Sequence, residues 1–169
     1  MLRFLFPRLT SERSRGSALF DAVVAEARSP DWFIACAVPD TIDGRFDVLS
    51  TLLALAILRG EEGGAEANDA AVGLVERFAD AMDSEHRQLG VSDPAIGKTV
   101  RRLVAMLGKR VGTWRDAPER DWRQATHAAL YRGDAVSTEA LSAATGRLEG
   151  FARRLATVGD ADFAEGRIG

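Results

Sequence analysis

Asp40, Asp43 and Asp47 stand three and four residues apart, with Gly44 and Arg45 between them. Carboxylate oxygens at such spacing are hard ligands of the kind that hold Mg²⁺ or Ca²⁺. On a helical scaffold they could carry a diphosphate substrate through Mg²⁺, the chemistry of a metal-dependent enzyme. Two features weigh against it: the EF-hand spacing is absent, and no second acidic motif mirrors the first. The carboxylates suit another task better. At the N-terminal end of a helix they accept from free backbone N–H groups, sit favourably in the helix dipole and pair with Arg45. Other chemistry-bearing residues are scattered. His86, between Glu85 and Arg87, reads as surface; His127, near Trp122 and Tyr131, reads as hydrogen-bonded and half-buried. The single cysteine, Cys36, lies among Ile34, Ala35, Ala37 and Val38 and reads as a small buried hydrophobe. One cysteine excludes an internal disulfide and a multi-cysteine metal site. With no phosphate-cradling glycine loop and no His-Glu-x-x-His, the expectation is no catalytic residue, no metal and no cofactor.

The carboxylates lead into the most apolar run of the chain. Residues 46–58 carry Phe46, Val48, Leu49, Leu52, Leu53, Leu55, Ile57 and Leu58 around every side of a helix, and a helix apolar all round is a buried one. The run is too short for a bilayer, which needs about 20 apolar residues. It predicts a central helix from Gly44 or Arg45 to Gly60, with Asp40 as its cap and an exposed loop over 61–68.

The rest must wrap it. Leu19, Phe20, Val23 and Ala27 predict a helix from Ser17 that stops before Pro30. Trp32 and Phe33 read as core aromatics of a short segment. Val72, Val75, Phe78 and Met82 predict a helix starting after Asn68 or Asp69 and closed by Gly90. Ser92-Asp93-Pro94 is a helix start, followed by Ile96, Val100, Leu103, Leu107, Val111 and Trp114 on one face. Pro118 predicts the start of a sixth helix, and Ser137 or Thr138 caps a seventh with Leu141, Ala144, Leu148, Phe151 and Leu155 inward. No alternating strand pattern and no repeat intervenes. The expected fold is all-α: a single-domain, monomeric bundle of about six to seven helices around the central one. A basic N-terminal arm (1–16) precedes the helical domain (17–158), and a flexible tail (159–169) follows it.

Charge is distributed unevenly along these elements. The 169 residues carry a net charge of −3 with ordinary hydrophobic content of 46%, which excludes a binder dominated by basic charge. Acids prevail over 61–87, opposed by Arg77 and Arg87; bases prevail over 98–132, opposed by Asp116, Glu119 and Asp121. The fifth helix therefore presents a basic face of Lys98, Arg101, Arg102, Lys109, Arg110 and Arg115, for a partner or for the acidic segment of the same chain. The arm, with Arg3, Arg8, Arg13 and Arg15 among Leu2, Phe4, Leu5, Phe6 and Leu9, lacks the features of a secretory signal and suits a peripheral membrane contact.

One ordered set of motifs resembles a known family. Trp32-Phe33 precedes Pro39-Asp40-Thr41-x-Asp43-Gly44-Arg45-Phe46-Asp47 and the Leu-rich helix; then come Met82-Asp83, Arg87 and Leu89-Gly90-Val91-Ser92-Asp93-x-x-x-Gly97-Lys98-x-Val100-Arg101. Gly108-Lys109-Arg110, Trp114 and Ala129-Leu130-Tyr131-Arg132 complete it. This order, over roughly residues 30–132, resembles the ubiquinol–cytochrome c chaperone family of the bacterial type. Ser92 and Gly133 depart from it, where the family tends to have glycine and asparagine. The resemblance implies an all-helical, non-catalytic assembly factor for the respiratory cytochrome bc1 complex, with cytochrome b as client. It also implies a small helical partner protein, the ribosome as neighbour, and a place at the cytoplasmic face of the inner membrane. Such a client is a bundle of apolar helices with polar loops. Holding it calls for an apolar groove with a charged rim. The expected contact residues are Asp40, Asp43, Arg45 and Asp47 on the 38–47 loop, and Lys98, Arg101, Arg102 and Lys109 on the fifth helix. A generic helical adaptor remains the other non-enzymatic alternative.

Overall fold

The structure is a computed structural model that describes residues 16–88, 93–116 and 121–169. The described residues form helices α1 (Ser17–Ala27), α2 (Asp31–Ile34), α3 (Ile42–Glu62), α4 (Ala65–Gln88), α5 (Asp93–Asp116), α6 (Trp122–Tyr131), α7 (Thr138–Thr157) and α8 (Asp160–Ala164), and no strand. The all-α bundle is therefore as expected, and α3 is its axis. It packs against α1, α4, α5, α6 and α7, with Val48, Leu52, Leu53, Ala54 and Ala56 wholly removed from solvent. The arm up to residue 15, the Ser92 helix start, the Gly90 stop and Pro118 lie outside the described residues.

Local chemistry shifts several boundaries. Thr41, not Asp40, caps α3: its hydroxyl accepts from the Gly44 N–H at 3.1 Å, so the helix begins at Ile42. Nor does Gly60 end it. A Cβ there would lie 2.4 Å from the Ala71 Cβ and 2.9 Å from the Ala67 carbonyl oxygen, so glycine permits the close approach of α3 and α4. The loop expected over 61–68 shrinks to Gly63 and Gly64 because Asp160 reaches across from the far end of the chain. Its carboxylate accepts from the Gly64 N–H at 2.7 Å and from Arg59 at 2.8 Å, and those two donors hold its pKa below the usual carboxylate range. The flexible tail expected over 159–169 is likewise corrected. It forms α8 and docks, with Phe163 and Ile168 buried and the Arg59 guanidinium 5.3 Å from the centre of the Phe163 ring. The sixth helix starts at Trp122, after an Asp121 cap that accepts from the Arg123 N–H at 2.8 Å. Ser137 caps α7 as expected.

The segment between α1 and α3 is pinned from both sides. Trp32 is buried as expected; its indole N–H donates to the Glu26 carbonyl at 3.0 Å, and Arg147 stacks over its ring at 4.7 Å. Cys36 is buried, and burial pushes its thiol pKa up. Its carbonyl accepts from the hydroxyl of Tyr131, the single tyrosine, at 2.5 Å. Burial, reinforced by the neighbouring Cys36, pushes that phenol up to about 12. In the unfolded chain the phenol ionises near 10. A folded pKa above the unfolded one gives stability that is complete below pH 10 and lost as pH rises towards 12. Absorbance titration of the phenolate should therefore find no ionisation of the folded protein near pH 10 and a rise only as unfolding sets in. A midpoint near 10 without loss of helicity would show Tyr131 to be exposed.

Candidate functional site

The first turns of α3 bring the carboxylates against arginines rather than into a ligand cage. Asp40 pairs with Arg45 at 2.7 Å, and Arg45 also lies over the half-buried Phe33 ring at 4.9 Å. Asp47 points inward and is 3% exposed. One of its oxygens accepts from Arg110 at 2.8 Å, the other from Arg132 at 2.7 Å, and Arg132 also donates to Asp43 at 3.1 Å. Arg110 was expected on the outer basic face of α5; it turns inward instead. Its second terminal nitrogen donates to the Asp47 carbonyl, the Thr51 hydroxyl and the Ala129 carbonyl at 3.1, 2.7 and 3.0 Å. Burial lowers its pKa from the ordinary value, with Asp47 opposing, while the hydrogen bond to Asp47 raises that of Arg132. The knot ties α3, α5 and the end of α6 together at one point. Arg132 follows α6 in the left-handed region, with φ of 54°, and Gly133 continues the turn at 87°.

Carboxylates already engaged by guanidinium groups are poor ligands for a dication. Titration calorimetry with Mg²⁺ or Mn²⁺ should show no stoichiometric binding. A micromolar site lost in Asp43→Asn would restore the metal-enzyme reading.

Beside the knot, α3, α4 and α5 leave a groove of about 780 Å³. Phe46 and Leu49 from α3, Met82 from α4, and Leu103 and Met106 from α5 line it, with Ile42 at its lip. Phe78, fully buried, backs Phe46 with ring centres 6.2 Å apart. Asp43, Arg45, Arg102 and Arg132 form the polar edge. Ile42 is 89% exposed and Met106 41%. Exposed apolar side chains gathered beside a groove, with polar groups round it, mark an interaction surface. Two flexible thioethers let such a surface repack around different apolar shapes. The all-round apolar character of α3 thus has two meanings: its middle is core, while its first turns face this opening.

Of the residues expected to meet a partner, Asp43, Arg45 and Arg102 come together on the groove's edge, and Asp40 adjoins it through Arg45. Asp47 does not: it is buried beneath the edge and serves the knot. Lys98, Arg101 and Lys109 are exposed on α5 but do not line the groove. Among the described residues no ion pair engages these three or Arg102, and the alternative expectation, pairing with the acidic segment, is met at Arg115 and Glu61, 2.5 Å apart. Sequence reasoning missed Ile42, Met106 and Arg132 as site residues. Arg132 stands in the Ala129-Leu130-Tyr131-Arg132 motif, and Met82 in Met82-Asp83. Ile42 occupies the unspecified position between Thr41 and Asp43, where only its apolar type among polar neighbours could have drawn attention.

Comparison with known proteins bears on the same region. The family model for ubiquinol-cytochrome C chaperone matches residues 35–168, which include the knot and the whole groove. Among solved structures, the crystal structure of the Cbp3 homolog from Brucella abortus is similar, with a TM-score of 0.76 and 26% sequence identity, over 99% of this chain and 95% of that one. No curated protein matches.

Proposed function

Because the chain belongs to the ubiquinol–cytochrome c chaperone family, we propose that it is a non-catalytic assembly factor that holds newly made cytochrome b before the bc1 complex is complete. The observation that carries this reading is the groove, an apolar surface that the described residues leave open, with an arginine-rich edge inside the family-matched region. An amphipathic or apolar helix laid in such a groove contributes side chains at i, i+3, i+4 and i+7. Phe46, Leu49, Leu103 and Met106 offer the complementary wall. Arg45, Arg102 and Arg132 orient an acidic loop at the helix end, since charge at a rim selects register and speeds encounter. The diphosphate-enzyme reading has no comparable support, because Asp47 has both oxygens engaged by arginines.

No described helix is long and apolar enough to cross a membrane, and the proposed place is peripheral, at the cytoplasmic face of the inner membrane, as a monomer. The outer face of α5, with Lys98, Arg101 and Lys109, is the proposed contact for a small helical partner protein or for ribosomal RNA. A tagged copy recovered from growing cells should bring down cytochrome b ahead of other membrane proteins. Reversing Arg101, Arg102 and Lys109 to Glu should leave the melting temperature within about 2 °C, as exposed sites do, yet lower recovery of cytochrome b and bc1 activity several-fold. A folded variant that supports full bc1 assembly would remove the α5 face from the account.

A further inference from the structure

The groove beside the knot carries one charge that the described residues leave uncompensated. At and beneath its edge, the guanidinium groups of Arg45, Arg102, Arg110 and Arg132 face the carboxylates of Asp40, Asp43 and Asp47. Arg45 meets Asp40, Arg110 meets Asp47, and Arg132 meets both Asp47 and Asp43. Arg102 is the surplus cation: it is exposed and meets no carboxylate among the described residues. Thr99 stands one turn before it and also lines the groove, since residues three apart on a helix share a face. Away from this polar corner the wall is apolar, built from Phe46, Leu49, Met82, Leu103 and Met106.

We propose that the groove also binds an anionic amphiphile: a single acyl chain ending in a carboxylate or phosphate, with its head on Arg102 and its chain along the apolar wall. Three features set that class. A guanidinium takes an oxyanion through two parallel hydrogen bonds. One surplus cation calls for one anionic head rather than for a cluster of acids. The wall is mostly aliphatic, and the thioethers of Met82 and Met106 adapt to a flexible chain better than a rigid wall does. Size agrees as well. An apolar cavity of about 150 Å³ takes up benzene, and about 780 Å³ lies within the range of small-molecule sites. The same side chains line the proposed client site, so amphiphile and client exclude one another. The amphiphile then covers the apolar wall while no client is held.

Decanoate is a suitable probe, with decyl phosphate as the second anionic head, decanol as the uncharged counterpart and decyltrimethylammonium as the cationic one. The protein has three methionines, so its ¹³C-methyl spectrum separates few signals, and Met82→Leu and Met106→Leu assign the two in the groove. Decanoate, kept below its micelle concentration, should move both signals saturably. Decanol should bind about tenfold more weakly, as expected for the loss of a charge-assisted hydrogen bond, and decyltrimethylammonium more weakly still. Arg102→Gln changes an exposed side chain, so it should fold normally; it should weaken decanoate about tenfold and leave decanol unchanged. Tighter binding of decanoate than of decyl phosphate assigns a free fatty acid, and the reverse a phosphorylated lipid. Met82 and Met106 signals that decanoate leaves in place, equal binding of all four probes, or a preference for decanoate that survives Arg102→Gln overturns the proposal. Because no cytochrome b is present, such a failure leaves the client reading standing, and loss of the client reading leaves decanoate binding untouched.

Discussion

Asp47→Asn should lower folding stability by about 3–5 kcal/mol, the range for removing one partner of a buried ion pair. The reason lies in what remains. Arg110, with 17% of its side chain exposed, would keep its charge but lose its one carboxylate partner among the described residues, and Arg132 would lose the nearer of its two there. Backbone carbonyls and the Thr51 hydroxyl still accept from Arg110, but dipoles compensate a buried charge less well than a carboxylate does. Two comparisons isolate the effect. Asp40→Asn removes an exposed pair with Arg45 and should cost less than about 1 kcal/mol. Asp47→Asn combined with Arg110→Met should cost less than Asp47→Asn alone, since removing both charges spares the unpaired one. Urea titration measures all three. If Asp47→Asn and Asp40→Asn fall together, the knot does not hold the bundle.

The same residues show what a sequence discloses and what it withholds. Helical periodicity placed the core side of α5 and α7, because a stripe at i, i+3, i+4 has a single way to be buried. It also located the central helix, whose middle is apolar on every side. It could not say which apolar side of α3 stays uncovered, since that depends on the spacing of α4 and α5 against Phe46 and Leu49. Charge was harder still. Arg110 belongs by periodicity to a basic face, yet lies close enough to the inward Leu107–Val111 stripe to turn in once Asp47 supplies a partner 63 residues away in the chain. The docking of α8 was missed for a similar reason: glycines and charges read as a tail, while Asp160 finds Arg59 and Gly64 only in the folded bundle. The candidate site was legible in part. Asp43, Arg45 and Arg102 were named from sequence; their meeting on one edge is tertiary.

The most direct test of the central claim is the recovery of cytochrome b by groove variants that fold normally. Ile42→Glu and Met106→Glu change side chains that are already exposed, 89% and 41%, so neither places a charge in the core, and each should melt within about 3 °C of the parent. Apolar anchors central to an interface carry about 2 kcal/mol or more, so the double variant should lose at least about tenfold in client recovery. A photo-crosslinking residue placed at Met106 should, in the otherwise unaltered protein, attach to cytochrome b while the bc1 complex is being built. Normal folding with cytochrome b recovery reduced tenfold or more is the predicted result; undiminished recovery by the folded double variant, with no crosslink from Met106, would contradict the groove as the place where the client is held.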